Sequence, residues 1–95
     1  MHRFRVTVGP AEQNSTSQPI SFEVENHDDI LAIVSRLSGK LGLTGDESKS
    51  FAVGLKLFGE VVLKNRQRPP FDQIRPAMAG FMKALKRQVA ESEGS

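Results

Sequence analysis

Cysteine, tryptophan and tyrosine are all missing from this sequence. Without cysteine the chain can form no disulfide bond, no thiolate metal site and no cysteine nucleophile. No hydrophobic run is long enough to cross a bilayer, and residues 1–5 lack the apolar segment of a secretory signal. Small secreted domains usually depend on disulfide bonds, so we expect a reducing, cytoplasmic location and no membrane partner.

Acidic residues are scarce in the last third of the chain. Residues 1–60 carry six Lys or Arg and eight Asp or Glu, whereas residues 61–95 carry seven and three, so the two parts have formal charges of −2 and +4. A basic half can attract polyanions or acidic partners. The whole chain has 95 residues, which allows a single domain, 1–95, and little room for an enclosed active site.

Two short segments, residues 3–8 and 20–25, alternate apolar and polar side chains. A period of two is typical of a half-buried β-strand. The polar, turn-rich residues 9–19 lie between them. We therefore predict an antiparallel hairpin over residues 2–25 with a long connecting loop.

One register satisfies both faces of this hairpin. If Val8 pairs with Ile20, every apolar side chain lies on the same face, and a slip of one residue would bury the charges. Arg5 then faces Glu23 on the polar face, and such a pair contributes about 0.2–1 kcal/mol. The other predicted pairs are Val6 with Phe22, Phe4 with Val24, Arg3 with Glu25 and His2 with Asn26.

Apolar residues with helical spacing predict three helices after the hairpin. Asn26 is expected to cap the first helix, and Thr44 with Glu47 forms a capping-box pattern at the start of the second. The order ββααα predicts an α+β domain, a two-stranded antiparallel hairpin with the helices packed on one of its faces. The predicted helices span about 27–41, 45–67 and 71–90, followed by a disordered tail at 91–95.

The second helix is the most apolar and is expected to form the centre of the core. Phe58 lies in the middle of its apolar arc, so we expect it to be buried between the hairpin and the third helix. Gly54 lies in the same arc and predicts a close approach of another backbone, because glycine inside a helix costs about 1 kcal/mol relative to alanine. Met78 and Met82 are expected to pack in the core rather than to line an adaptable groove.

Three segments carry a resemblance to a known family. They are residues 1–6 (MHRFRV), 26–34 (NHDDILAIV) and 51–66 (FAVGLKLFGEVVLKNR). These segments resemble the short bacterial proteins of domain-of-unknown-function family 3861, and the resemblance extends over nearly the whole chain except the 9–19 loop and the tail. It implies a compact bacterial α+β domain, and it implies no activity, cofactor or site residue.

Candidate metal or acid–base residues gather where the hairpin meets the first helix. Two imidazoles with carboxylates can bind zinc or transfer protons. Acidic residues are also favoured at a helix start for structural reasons, so we expect no catalytic, cofactor or metal site here. The weak candidates are His2, His27, Asp28 and Asp29, with Glu25 beside them.

Lys56, Glu60 and Lys64 are spaced four apart on the second helix. A lone glutamate between two lysines is compatible with catalysis. We favour an exposed ladder of ion pairs, because residues four apart on a helix are neighbours on its surface. Each such pair contributes only about 0.2–0.5 kcal/mol.

Seven basic residues form the surface with the clearest charge. They could contact phosphates, but no aromatic side chain lies on the predicted basic face to stack on bases, and no nucleic-acid-binding motif is present. We favour a solvated surface, with Arg75, Lys83, Lys86 and Arg87 opposite the apolar stripe of the third helix. The seven polyanion-binding candidates are Lys64, Arg66, Arg68, Arg75, Lys83, Lys86 and Arg87.

The sequence leaves three functions open. We expect a non-enzymatic protein-interaction module with an unidentified protein partner and no cofactor. The alternatives are a weak nucleic-acid or polyanion binder that uses the basic residues, and a small metal-binding protein or enzyme at the hairpin–helix junction. A two-stranded sheet has two open edges, so we also expect pairing with a second copy, edge to edge, into a homodimer. The alternative is a monomer in which the 9–19 loop covers the edge.

Overall fold

The computed structural model describes residues 1–93 of the chain. It contains a two-stranded antiparallel sheet followed by three helices, which confirms the predicted α+β class. Residues 94 and 95, at the end of the predicted disordered tail, lie outside the described part. The elements are β1 (His2–Val8), β2 (Ile20–Asn26), α1 (Ile30–Leu37), α2 (Gly45–Lys64) and α3 (Phe71–Glu93).

The hairpin has the predicted register, from His2 opposite Asn26 to Val8 opposite Ile20. One of its ion pairs differs from the predicted ones, which joined residues directly opposite each other. Arg3 reaches diagonally to Glu23 with 2.8 Å between the nearest nitrogen and oxygen, whereas Arg5 lies 4.0 Å from the same carboxylate. Both partners are exposed, so these contacts support the register and contribute little stability.

Helix α1 is shorter than the predicted range of 27–41. Asp29, not Asn26, caps it, since the Asp29 carboxylate accepts hydrogen bonds from the backbone nitrogens of Leu31 and Ala32. The helix ends at Leu37, and the chain then passes through left-handed conformations at Gly39, Leu41 and Gly42.

The predicted capping box at the start of α2 is present, with both hydrogen bonds between Thr44 and Glu47. Helix α2 ends at Lys64, three residues before the predicted end, where the Asn65 backbone N–H bonds back to the last turn. Helix α3 begins at Phe71, includes Pro76 in its second turn and continues to Glu93, beyond the predicted 71–90 range.

The buried core lies where the three helices meet. Leu37 of α1, Ala52 of α2 and Val89 of α3 form its buried cluster. Partly buried apolar side chains pack around them, and Phe51 meets Phe81 edge to face with 6.1 Å between ring centres. The core therefore ties the first half of α2 to α1 and to the last turns of α3.

Two predictions for α2 are wrong. Phe58 is 50% exposed, because the hairpin and α3 leave its part of the helix uncovered. Gly54 is exposed, and a β-carbon built on it meets no atom within 4 Å, so no backbone approaches it. The face of α2 that other elements cover is rotated from the predicted apolar arc, since the buried residues of this helix are Ser48, Ala52, Glu60 and Val62.

The hairpin extends away from the helices as an arm. Helix α2 packs against β2 near Asn26, whereas Val8 and Ile20 at the far end are 57% and 58% exposed. The radius of gyration is 15.4 Å. A compact domain of this length has about 12 Å. Much of the apolar face of the hairpin is thus left without a cover.

Candidate functional site

The hairpin joins the helices through a polar junction at the end of β2. Asn26 is buried and donates a hydrogen bond from Nδ2 to the carbonyl oxygen of Lys56 over 3.0 Å. Its Oδ1 accepts from the backbone nitrogen of Asp28 over 3.0 Å. The Asn26 amide therefore fixes the turn after β2 and attaches it to the backbone of α2.

Glu60 of α2 is buried beneath this turn and binds His27 at two points. Its Oε1 accepts from the backbone nitrogen of His27 over 3.1 Å. The ring Nδ1 of His27 lies 2.9 Å from Oε1 and 3.1 Å from Oε2. An ionised carboxylate can only accept, so Nδ1 carries the hydrogen in this contact.

Lys56, one turn before Glu60, completes the junction. Its ammonium group donates to Asp28 Oδ2 over 2.8 Å, and this hydrogen bond and the positive charge of Lys56 hold the pKa of Asp28 below its ordinary value of 3.8. The junction thus consists of two side chains of α2, Lys56 and Glu60, which bind two residues of the turn, Asp28 and His27.

The four weak metal candidates do not form a ligand set. His2 lies beside Phe4, with 6.3 Å between ring centres, while Asp29 caps α1. His27 and Asp28 bind separate residues of α2. Within residues 1–93, no three His, Cys, Asp or Glu side chains are grouped as metal ligands.

The predicted exposed ladder of Lys56, Glu60 and Lys64 is wrong. Glu60 is buried and binds His27, and Lys56 binds Asp28. Lys64 makes no ion pair within the described residues. Glu60 is the central residue that sequence reasoning missed. The local sequence carries no signal for this burial, because lysines four residues before and after Glu60 are typical of an exposed helix face.

The His27 ring lies at the surface, whereas its partner Glu60 is buried. The His27 side chain is 62% exposed, so its ring is open to solvent. The pair joins the turn after β2 to helix α2.

Two apolar cavities adjoin the junction on one side of α2. One, of about 360 Å³, lies between the turn, α2 and α3, and the other, also about 360 Å³, lies between α1, α2 and α3. They share Leu55, Lys56 and Met82. Met78 and Met82 are half-buried in these walls rather than enclosed in a core.

A third cavity, of about 560 Å³, lies between β2 and the second half of α2. Its apolar walls include Phe22, Phe58 and Val61, which are 43%, 50% and 48% exposed. Glu25 and Lys64 line the same space. This cavity is the open gap beneath the arm.

All seven basic candidates are exposed, but they do not share one face. Arg75 and Lys86 line the two cavities beside α3, so the prediction that they lie opposite its apolar stripe is wrong. Lys83 and Arg87 line neither of those cavities. Arg66 and Arg68 cap the end of α2, bonding to Leu63 and Asn65.

The chain is thus a small α+β domain in which polar contacts attach a hairpin arm to three helices. The chain belongs to the family described as "Domain of Unknown Function with solved-structure structure (DUF3861)", whose model matches residues 2–87. This match confirms the resemblance carried by residues 1–6, 26–34 and 51–66.

A solved structure supports the same assignment. The chain is similar to a protein of unknown function from Pectobacterium atrosepticum SCRI1043, with 34% identity and a TM-score of 0.83 over 92% of this chain and 98% of that chain. No curated protein matches the chain. Within residues 1–93, no helix has the length and hydrophobicity of a membrane span.

Proposed function

We propose that this chain is a non-enzymatic protein-interaction module, and that its first partner is a second copy of itself. The supporting observation is the arm face, which we define as Val8, Ile20 and Phe22 of the hairpin with Phe58 and Val61 of α2. These five large apolar side chains are each 43–58% exposed. Exposed apolar patches of this kind mark interaction surfaces in soluble domains.

The same face favours a second copy as the occupant. Each copy has an uncovered strand face and an uncovered helix face beside one gap, so two copies related by a two-fold axis can cover each other. Glu25 and Lys64 at the rim make no ion pair within residues 1–93. Opposite charges at the rim can then pair between copies.

Charge also favours this face over pairing through the strand edges. A symmetric antiparallel pairing centred on β1 places Arg5 against Arg5 of the other copy. The same pairing centred on β2 places Glu23 against Glu23. Like charges directly across a strand pair are destabilising. The homodimer is therefore proposed to form through the arm face.

The bacterial origin of the similar structure supports a bacterial source for the chain. The lack of cysteine supports a reducing compartment, and the proposal places the protein in the cytoplasm. Polyanion binding by the seven basic residues is the second candidate function. A measurement of RNA binding decides between the two candidates.

Sedimentation equilibrium over a range of micromolar concentrations tests the proposal. Wild type should sediment as a dimer, and Phe22→Ser with Phe58→Ser should sediment near 10.5 kDa with an unchanged far-UV spectrum. Leu31→Ser is the matched control, because Leu31 is 69% exposed and lies outside the arm face. A wild type that remains near 10.5 kDa throughout, or one that binds RNA in a salt-sensitive way, would contradict the proposal.

A further inference from the structure

The two cavities beside α3 adjoin one another along α2. They meet at Leu55, Lys56 and Met82, which line both. The floor is α2, one wall is α3, and the other wall is α1 with the turn after β2. We call this surface the α2 groove. It lies outside the arm face, since none of the five arm-face residues lines it.

The floor and the α3 wall of the α2 groove are apolar and adaptable. Leu55 and Leu85 are half-buried there, as are Met78 and Met82. Methionine side chains are flexible and polarisable, so they can fit partners of different shape. Gly59 also lines the groove, and a β-carbon built on it would lie 4.0 Å from the methyl carbon of Met78, so this side chain lies over the backbone of α2.

The rim of the α2 groove carries unpaired positive charge. Arg75 and Lys86 are exposed, and neither makes a hydrogen bond or ion pair within residues 1–93. They are eleven residues apart on α3, which is about three turns or 16 Å. The acidic residues of the groove are already bound, Asp28 to Lys56 and Glu60 to His27.

We infer that the α2 groove binds an acidic amphipathic helix of a partner protein. An apolar floor between basic side chains is complementary to a helix with an apolar stripe and flanking carboxylates. The spacing of Arg75 and Lys86 matches about three turns of such a helix. This inference rests on the interaction-module function, but it uses a different surface from the arm face and can fail separately.

The apolar floor of the α2 groove favours an amphipathic helix over a simple polyanion as the ligand. A nucleic acid or an unstructured acidic segment would satisfy Arg75 and Lys86 but would leave Met78 and Met82 without an apolar contact. A helix with apolar side chains at every third or fourth position satisfies both parts of the groove.

Fluorescence anisotropy with a labelled synthetic peptide tests the inference. The probe is a peptide of about fourteen residues, with Leu and Phe at helical spacing and Glu elsewhere. A scrambled peptide of the same composition is the control ligand. The periodic peptide should bind in the micromolar range and gain helicity on binding, and the scrambled peptide should bind much more weakly.

Matched charge reversals on α3 locate the site. Arg75→Glu with Lys86→Glu should weaken binding about tenfold, because both changes turn attraction into repulsion at the rim. Lys83→Glu with Arg87→Glu alters the net charge equally, on exposed residues that line neither cavity, and should leave affinity within about twofold. The far-UV spectra of both variants should match that of wild type.

Three outcomes would overturn the inference. The first is equal binding of the periodic and scrambled peptides, which indicates a polyanion surface. The second is equal weakening by both double variants, which indicates net charge alone. The third is no binding of the periodic peptide by wild type. A monomeric wild type that binds the peptide would contradict only the homodimer, since the groove does not include the arm face.

Discussion

The helical end and the arm end of this molecule distribute similar side chains in opposite ways. At the helical end, Leu37, Ala52 and Val89 are buried against one another. At the arm end, Val8, Ile20 and Phe58 are at least half exposed, and the contacts that hold the hairpin in place are polar. The periodicity of apolar residues indicates which side of a strand or helix is apolar. Neighbouring elements determine whether that side becomes part of the core or remains exposed as an interface.

Truncating one apolar side chain at each end gives the largest contrast. Leu37 is 6% exposed, so Leu37→Ala should lower the free energy of unfolding by about 2–5 kcal/mol. Phe58 is 50% exposed, so Phe58→Ala in the monomer should cost about 1 kcal/mol, the half-burial share of its transfer free energy. Urea denaturation followed by circular dichroism measures both.

Protein concentration sharpens this contrast. The cost of Phe58→Ala should grow with concentration if a second copy covers the arm face, since association stabilises the folded wild type. The cost of Leu37→Ala should not depend on concentration. Equal losses for the two variants at low concentration would show that the arm face is covered within the monomer.

A substitution at the junction between the two ends is expected to lower the free energy of unfolding by an intermediate amount. Glu60→Ala removes the acceptor for the backbone nitrogen and the ring of His27, and the loss should be about 1–3 kcal/mol. Glu25→Ala removes an exposed carboxylate without an ion pair in residues 1–93, and should change stability by less than about 0.5 kcal/mol. A Glu60 variant as stable as the Glu25 variant would mean that water replaces the carboxylate at no cost.

The smallest expected change in the free energy of unfolding is that of Asp28→Asn, and it depends on pH. The pKa of Asp28 is lowered in the folded protein by the hydrogen bond and charge of Lys56. A lowered folded-state pKa stabilises the fold above the ordinary pKa of 3.8, and this contribution is lost as pH falls through the folded-state value. Asp28→Asn should therefore be less stable than wild type at neutral pH, and the difference should disappear in acid. A difference that persists at the lowest pH would assign the effect to packing.

The hairpin and its register could be predicted from sequence because they are local. Val8 opposite Ile20 and Arg5 opposite Glu23 follow from the alternation of two nearby segments. The ends of α1 were predicted less well, because Asn26 and Asp29 are both good capping residues by type. Asn26 instead binds α2, and that role depends on a contact 30 residues away.

The junction could not be predicted for the same reason. Glu60 has lysines four residues before and after it, so its local sequence indicates an exposed helix surface. Its actual partner, His27, is 33 residues away in the chain. The sequence placed His27 and Asp28 between the hairpin and the first helix, but their partners on α2 follow only from the way the hairpin is placed against that helix.

The polar attachment of the arm has a consequence for local opening. Asn26, His27 and Asp28 hold the hairpin to α2 through hydrogen bonds and ion pairs. Water can replace such contacts one by one, so the hairpin can detach as a unit while Leu37, Ala52 and Val89 stay packed. The amide hydrogens of β1 and β2 would then exchange with solvent through a partial opening that leaves α2 protected, and the chain would contain two cooperative units within one domain.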